Sequence, residues 1–311
     1  MAISRASIAK ELLPGLNAVF GLEYGEVNNE HEALFEIENS DRAFEEEVMF
    51  TGFATAPVKG EGAAVSYDTA QETYVSRYTN ETVALAFAVT EEAMEDNLYD
   101  TFSKLRARGL ARAMANTKQV KGADVFNNGF SAAPAYVGGD GVAFFSAAHP
   151  TVSAGVQSNL AAAADLSEAA LETIITNIQK IKDDRNILIG SSAVSLHIPP
   201  DLWSTADQIL HSPGTTVAGG TGDGTYAQNN INAIRHMGMI PEGFFVNRRF
   251  TDTNNYYIKT DVPNGAKMFV RVPLQTKMEP DFDTGNLRFK ARERYSFGFS
   301  DWRSYFGSQG S

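Results

Sequence analysis

The 311-residue chain contains no cysteine. That excludes disulfides, thiolate metal sites and thiol nucleophiles, so any covalent cross-link would need other chemistry. No apolar run approaches the ~18 residues of a membrane span. Lys10, Glu11 and Pro14 interrupt residues 1–20, which therefore do not read as a secretory signal. Histidine is scarce as well: His31, His149, His197, His211 and His236 form no i, i+4 pair and no zinc motif with a neighbouring glutamate. There is no Gly-x-Ser-x-Gly elbow. The glycine-rich stretch 219–224 lacks the Lys-Ser/Thr that completes a phosphate loop, and it reads as a flexible loop. Asp281-Phe282-Asp283-Thr284-Gly285 starts like a calcium loop but puts Arg292 at the twelfth position, so a hairpin turn is expected. Asp183-Asp184 is expected to be a solvated helix end. No catalytic, cofactor-binding or metal-ligating set emerges, and the chain is not expected to be an enzyme; an acid-dependent hydrolase using Asp183 and Asp184 is the remote alternative.

A basic excess is missing too. The net charge is −12, and residues 1–90 hold 5 Lys and Arg against 15 Asp and Glu, a net of −10. Residues 261–311 hold 8 against 6, a net of +2. Tight nucleic-acid binding is therefore not expected. A solvated acidic surface explains this distribution, and so does attraction between acidic and basic regions of different copies. The 43% hydrophobic and 21% charged fractions are those of a soluble folded protein, and the length allows a sizeable core.

What the sequence does contain is organised around residues 90–121. Leu98, Phe102, Leu105, Ala113, Thr117 and Val120, flanked by Met94, Leu110 and Met114, recur at helical steps. Thr90 stands where an N-cap belongs. Glu91, Glu92, Glu95, Asp96 and Asp100 crowd the first turns and Lys104, Arg106, Arg108, Arg112, Lys118 and Lys121 the later ones, the order the helix dipole favours. At 1.5 Å per residue such a helix would run about 48 Å.

Ahead of it, residues 1–46 predict a short helix with Ile8, Leu12, Leu13 and Leu16, disturbed at Pro14-Gly15, then an acid-rich segment with little core of its own. Residues 47–89 alternate like a long hairpin. Val48, Phe50, Phe53 and Val58 lie in one limb, and Tyr74, Val75, Tyr78, Val83, Leu85 and Phe87 in the other. An isolated hairpin is marginal in water, so arm and hairpin are expected to rest on another surface. After the long helix, Ser167 caps a helix with the stripe Leu171, Ile174, Ile175, Ile178 and Ile181. Val194, Leu196 and Ile198 predict a strand, residues 201–211 a helix, and 243–247, 255–260 and 267–273 further strands. The clearest strand is the last: Leu287, Phe289, Ala291, Tyr295, Phe297 and Phe299 alternate with Arg288, Lys290, Arg292 and Arg294.

This order of parts resembles the major capsid proteins of tailed bacteriophages, whose Hong Kong 97-type fold encapsulin shells share. Short segments carry the similarity, most nearly to Mu-like major head subunits. They are Glu45-Glu46 through Lys59-Gly60-Glu61-Gly62 to Tyr67-Asp68, Thr90-Glu91-Glu92 with Asp96-Asn97-Leu98-Tyr99, and Phe144-Phe145-Ser146 with His149-Pro150. Ser158-Asn159-Leu160, Asp165-Leu166-Ser167 and Asn229-Asn230-Ile231-Asn232 follow, then Gly285-Asn286-Leu287-Arg288-Phe289 and Gly298-Phe299-Ser300-Asp301-Trp302-Arg303.

The resemblance implies an α+β fold with an N-terminal arm over 1–46 and an extended loop (β-hairpin) over 47–89. It implies a peripheral domain of 90–165 and 270–311 with spine helix 90–121, and an axial domain of 166–269. The implied function is self-assembly, through hexamers and pentamers, into an icosahedral shell around packaged double-stranded phage DNA. The implied place is the virion capsid, assembled in the bacterial host cytoplasm. A separate scaffolding protein, a portal and a decoration protein are the implied partners, with weak, non-specific DNA contact and no membrane. An encapsulin-like nanocompartment is the alternative. Some shells of this fold link a loop lysine to a peripheral-domain asparagine; Lys59 with Asn286 would be the candidates here, and no such link is expected.

Overall fold

Alternation at the chain's end produces the longest hairpin in the molecule. The computed structural model describes residues 5–90, 92, 99–216, 229–281 and 284–311. In chain order it has helices α1 (Arg5–Glu26) and α2 (His31–Leu34), then strands β1 (Glu36–Asn39), β2 (Phe44–Phe50), β3 (Glu72–Thr79) and β4 (Glu81–Val89). The long helix α3 (Tyr99–Asn127) follows, then β5 (His149–Pro150), β6 (Val156–Gln157), α4 (Glu168–Gln179) and β7 (Ala193–Ile198). A 3-10 turn (Pro200–Leu202) leads into α5 (Trp203–His211), β8 (Gly214–Thr216) and β9 (Asn229–Ile231). Last come α6 (Ala233–Met237), β10 (Phe244–Val246), β11 (Tyr256–Thr260), β12 (Ala266–Pro280), β13 (Leu287–Phe299) and β14 (Tyr305–Ser308).

Two four-stranded sheets organise these elements. The first has the order β1-β12-β13-β4, with β1 parallel to β12 and the other pairs antiparallel. The second has the order β10-β7-β11-β14. The expected face of β13 is realised: Leu287, Phe289, Ala291 and Tyr295 are buried, and Arg288, Lys290 and Arg292 are exposed. The turn before it closes through Asp281 N–H to the Asn286 carbonyl at 2.8 Å. The end of the chain does not stay beside β13. As β14 it pairs with β11, so residues 305–308 belong to the same sheet as elements from 166–269.

Helix α3 packs on the inner face of the first sheet through the expected flank, Leu110 and Met114, rather than through the centre of the expected stripe, Leu105 and Val120 being exposed. Ala107, Leu110, Ala111 and Met114 join Phe289 and Ala291 in one apolar cluster, whereas Leu105 is 64% exposed. Small side chains let the helix approach its neighbours closely, so alanines outranked larger residues along the contact line. The helix also runs past Lys121 to Asn127. At Gly122 a Cβ would sit 3.3 Å from the Cβ of His31 and 3.4 Å from the Phe297 ring. The expected residues Met94, Leu98 and most of the acidic first turns lie outside the described residues.

The arm differs most from expectation. Helix α1 continues through Pro14, although an interior proline costs about 3 kcal/mol. Compensation comes from its second half: Leu16 and Phe20, one turn apart, are buried against α3 and β13 of the same chain. Leu34 and Phe35 then enter the main core. The acid-rich start thus finds its burial at home.

In that core, Phe126 is surrounded by the rings of Phe35, Phe144, Tyr257 and Tyr305, with centroids 4.9–5.7 Å away. Leu171, Ile174, Ile175 and Ile178 of α4 are buried, and the Ser167 hydroxyl accepts the Ala170 N–H at 3.3 Å, as the sequence predicts.

Candidate assembly surfaces

The hairpin of β2 and β3 is shorter than its alternation suggested. The ladder runs from Phe44 opposite Thr79 to Phe50 opposite Glu72. Val83, Leu85 and Phe87, expected in the same return limb, lie instead in β4, which pairs with β13. A turn at Asn80 separates the two strands, because Val83 and Phe87 gain more by packing on the α1–α3 cluster.

Beyond the ladder the chain leaves the body. Residues 52–72 are exposed throughout, and Val58 and Tyr67 are 100% and 95% accessible, with Phe53 and Val65 also exposed. The loop is tied down only near its base. Thr51 N–H donates to the Gln71 carbonyl at 2.9 Å, Ala54 N–H donates to Asp68 at 2.7 Å, and Arg185 donates to the Thr69 carbonyl at 2.7 Å. Lys59 lies in this exposed loop, and Asn286 sits half-buried in the β12–β13 turn. An apolar finger of this kind stays uncovered unless a second surface meets it.

The acids of the first third are less available to other copies than their number implies. Glu23 pairs with Arg112, and Glu30 pairs with Arg249 at 2.8 Å and Arg248 at 3.2 Å. Glu38 and Glu47 both hold Lys267. Burial works against the Lys267 ammonium, yet its hydrogen bonds to the two carboxylates outweigh that and leave its pKa raised. Complementary charge is therefore spent partly within the chain.

Two buried ion pairs escaped sequence reasoning. Glu293 interrupts the basic pattern of β13 at an inward position, where it meets Lys118 at 2.7 Å and the Tyr24 hydroxyl at 3.2 Å. Burial, with Glu293 second, raises the Tyr24 pKa. The signal was there: one acid in the inward register of an otherwise apolar face. Asp184, expected to be solvated, is only 3% exposed and pairs with buried Arg303 at 2.9 Å. Arg303 also approaches Asp301 at 3.4 Å, and burial raises the Asp301 pKa. Asp183 accepts the N–H groups of Arg185 and Ile187, which orders the turn. These two acids hold structure together.

Three of the segments quoted for the family resemblance, around His149, Asn159 and Trp302, meet in the core. His149 lies 2.6 Å from Asp140 and 3.0 Å from Asn159, and its ring stacks on Trp302 at 4.2 Å. The Asn159 amide donates to the carbonyls of Phe144, Trp302 and Tyr305 at 2.7–3.0 Å. His197 is buried beside Ser195, and burial lowers its pKa to about 3. His31 is paired with Gln119, and burial lowers its pKa too. Among the described residues no cluster of His, Asp and Glu is arranged to hold a metal ion. No helix is long and apolar enough to cross a membrane, again among the described residues. The glycine-rich stretch 219–224 lies outside the described residues; the strands β8 and β9 that lead into and out of it pair with each other.

Comparison with known proteins agrees with this architecture. A sequence model of the phage capsid protein family matches residues 72–306. Among curated proteins no sequence is detectably similar. The fold is similar to the capsid of the native GTA particle, at 14% identity over 92% of this chain and 91% of that one, with TM-score 0.57. It is similar to the procapsid subunit of bacteriophage JBD30, at 14% identity over 99% and 77%, with TM-score 0.51. The SrpI encapsulin of Synechococcus elongatus is similar at 9% identity over 91% and 88%, with TM-score 0.51. The match over residues 72–306 spans β3 and β4, the long helix, the β12–β13 hairpin and both buried ion pairs, and by it the chain belongs to the phage capsid protein family, as a shell subunit of the Hong Kong 97-type fold.

Proposed function

We propose that the chain is the major subunit of an icosahedral shell, arranged in hexamers and pentamers, that encloses packaged double-stranded phage DNA. The observation that carries this reading is the exposed loop over 52–72, whose Phe53, Val58, Val65 and Tyr67 have no cover in their own chain. In this reading residues 47–89 form the extended loop laid over a neighbouring copy. Residues 90–165 and 270–311 form the peripheral domain, and 166–269 the axial domain at the symmetry axes. Within the family, the Mu-like head subunits are the branch its short segments resemble. The role is structural rather than enzymatic, since Asp183 and Asp184 are occupied in local structure.

Assembly takes place in the bacterial host cytoplasm with a separate scaffolding protein and a portal. Contact with DNA is weak and non-specific, in keeping with the net charge of −12. Electron micrographs of the purified chain test the proposal: closed angular shells are expected, and a monodisperse monomer at high concentration would refute it. The similarity to an encapsulin supports one other reading, a shell around protein cargo. Nucleic acid within purified particles selects the first; enzyme cargo without nucleic acid selects the second.

A further inference from the structure

The outer face of the first sheet is treated electrically in two opposite ways. Toward the C-terminal end of β13 the β2–β3 hairpin covers it. Tyr78 lies so close to Gly298 that a Cβ there would come within 2.7 Å of its ring. The cation on that covered half, Lys267, is held by Glu38 at 2.8 Å and by Glu47. Acids from the first third of the chain thus neutralise the sheet's own positive charge.

The other half of the same face is open and is not neutralised. Lys290 and Arg292 are exposed and Arg294 is half-buried, at alternate positions of β13. Alternate residues stand about 6.6 Å apart along a strand. Among the described residues these three make no ion pair, while their neighbours Arg288 and Lys277 are engaged by Asp281 and Glu279. Lys277 stands directly opposite Lys290 in the ladder, an arrangement that repels. Arg294 Nε is buried with no partner among the described residues. On the far side β4 sets Ala86, Ala84 and Thr82 opposite Lys290, Arg292 and Arg294, side chains too short to cover them. Glu279, held by Lys277, is the acid whose field reaches Lys290, and among the described residues no carboxylate pairs with Lys290, Arg292 or Arg294.

The same sheet carries the complement at its β1 edge. β1 is an edge strand whose four residues are all exposed, and of the acids there Glu38 is held by Lys267 while Glu36 makes no ion pair among the described residues; close by, Asp41 and Glu46 are exposed and only loosely paired, at 3.8 Å from Arg271 and 3.9 Å from Arg77. We propose that Lys290, Arg292 and Arg294 of one copy receive the acidic ridge of β1, centred on Glu36 and Asp41, from a second copy. The contact is head-to-tail, since the two surfaces are different patches of one sheet, β1 flanking the start of β12 and the β13 row lying opposite its later residues, and contacts of that type close into rings when the rotation allows. Charge complementarity of this kind sets encounter rate and orientation more than final affinity. The inference rests on the shell-subunit reading and gives it a direction of association.

The test follows assembly of the full-length chain by light scattering at low and high salt. Three variants are compared with the parent: Lys290→Glu with Arg292→Glu, Glu36→Lys with Asp41→Lys, and all four together. Each reversal alone should slow assembly about tenfold at low salt, and the difference should shrink at high salt. The combined variant should return to near the parent rate. Near-UV circular dichroism confirms that each subunit folds, and the milder Lys290→Gln with Arg292→Gln should lower the salt dependence without reversing charge. Reversals that assemble like the parent, or a combination no faster than either reversal, would overturn the proposal. So would a Lys290→Glu, Arg292→Glu variant that loses affinity for duplex DNA while assembling normally, since nucleic acid would then be the occupant. A parent that forms no shell overturns the functional reading together with this one; a parent that forms shells beside indifferent variants overturns this one alone.

Discussion

Helix α1 and the 51–71 loop look alike in the sequence: both are outlying, and both carry scattered apolar residues with no evident core. The structure separates them. Leu16 and Phe20 of α1 close onto α3 and β13 of their own chain, whereas Phe53, Val58, Val65 and Tyr67 stay in solvent. The difference is one of spacing. Leu16 and Phe20 are one helical turn apart and present a continuous face, while the loop residues are spread along irregular chain with glycines between them. A segment that can pack itself does so; one that cannot keeps its apolar side chains for another surface.

The sharpest way to break the comparison is to remove the covered side. Phe20→Ala should destabilise the isolated subunit by about 3–5 kcal/mol, read as a lower denaturant midpoint, because it empties a site between helix and sheet. A change below 1 kcal/mol would mean that α1 does not rest there. Next in size is Glu293→Ala, which strands Lys118 beside Tyr24 under α1. About 3 kcal/mol should be lost, and a neutral outcome would show the pair to be dispensable.

Acid should also act on the body. His197 has its pKa lowered to about 3 by burial, against an ordinary value of 6.5. The unfolded chain therefore binds the extra proton first as pH falls. Stability is fully present above pH 6.5 and is lost as the pH drops toward 3, at up to about 1.4 kcal/mol per pH unit. His197→Phe should flatten that slope in unfolding measurements across this window. The smallest effect belongs to the uncovered side: Val58→Ser with Tyr67→Ser should move subunit stability by no more than about 0.5 kcal/mol. Assembly of the same variant should fall clearly, which is the contrast in its plainest form.

Regular elements were legible wherever periodicity was strong. The alternation of β13, the stripe and Ser167 cap of α4, and the short strands near 193–198, 244–246 and 256–260 all follow from side-chain spacing. Three things were not legible. Pro14 was weighed by local cost alone, and the tertiary burial of Leu16 and Phe20 overrode it. The stripe of α3 was centred one face away, on Leu105, Ala113 and Val120, and Ala107 and Ala111, which permit close approach beside Leu110 and Met114, were not counted. Charge was summed by region, which hid the intrachain partners of Glu23, Glu30, Glu38 and Glu47, and the burial of Asp184 and Glu293. Pairing across 89 or more residues leaves no local trace.

Hydrogen exchange resolved by residue, on dissociated subunits and on assembled particles, tests the contrast most directly. Residues 16–24 should be protected in both states, and 55–67 should exchange freely in the subunit and become protected only in the particle. Equal protection of the loop in the two states, or loss of protection in α1 whenever subunits separate, would contradict the account.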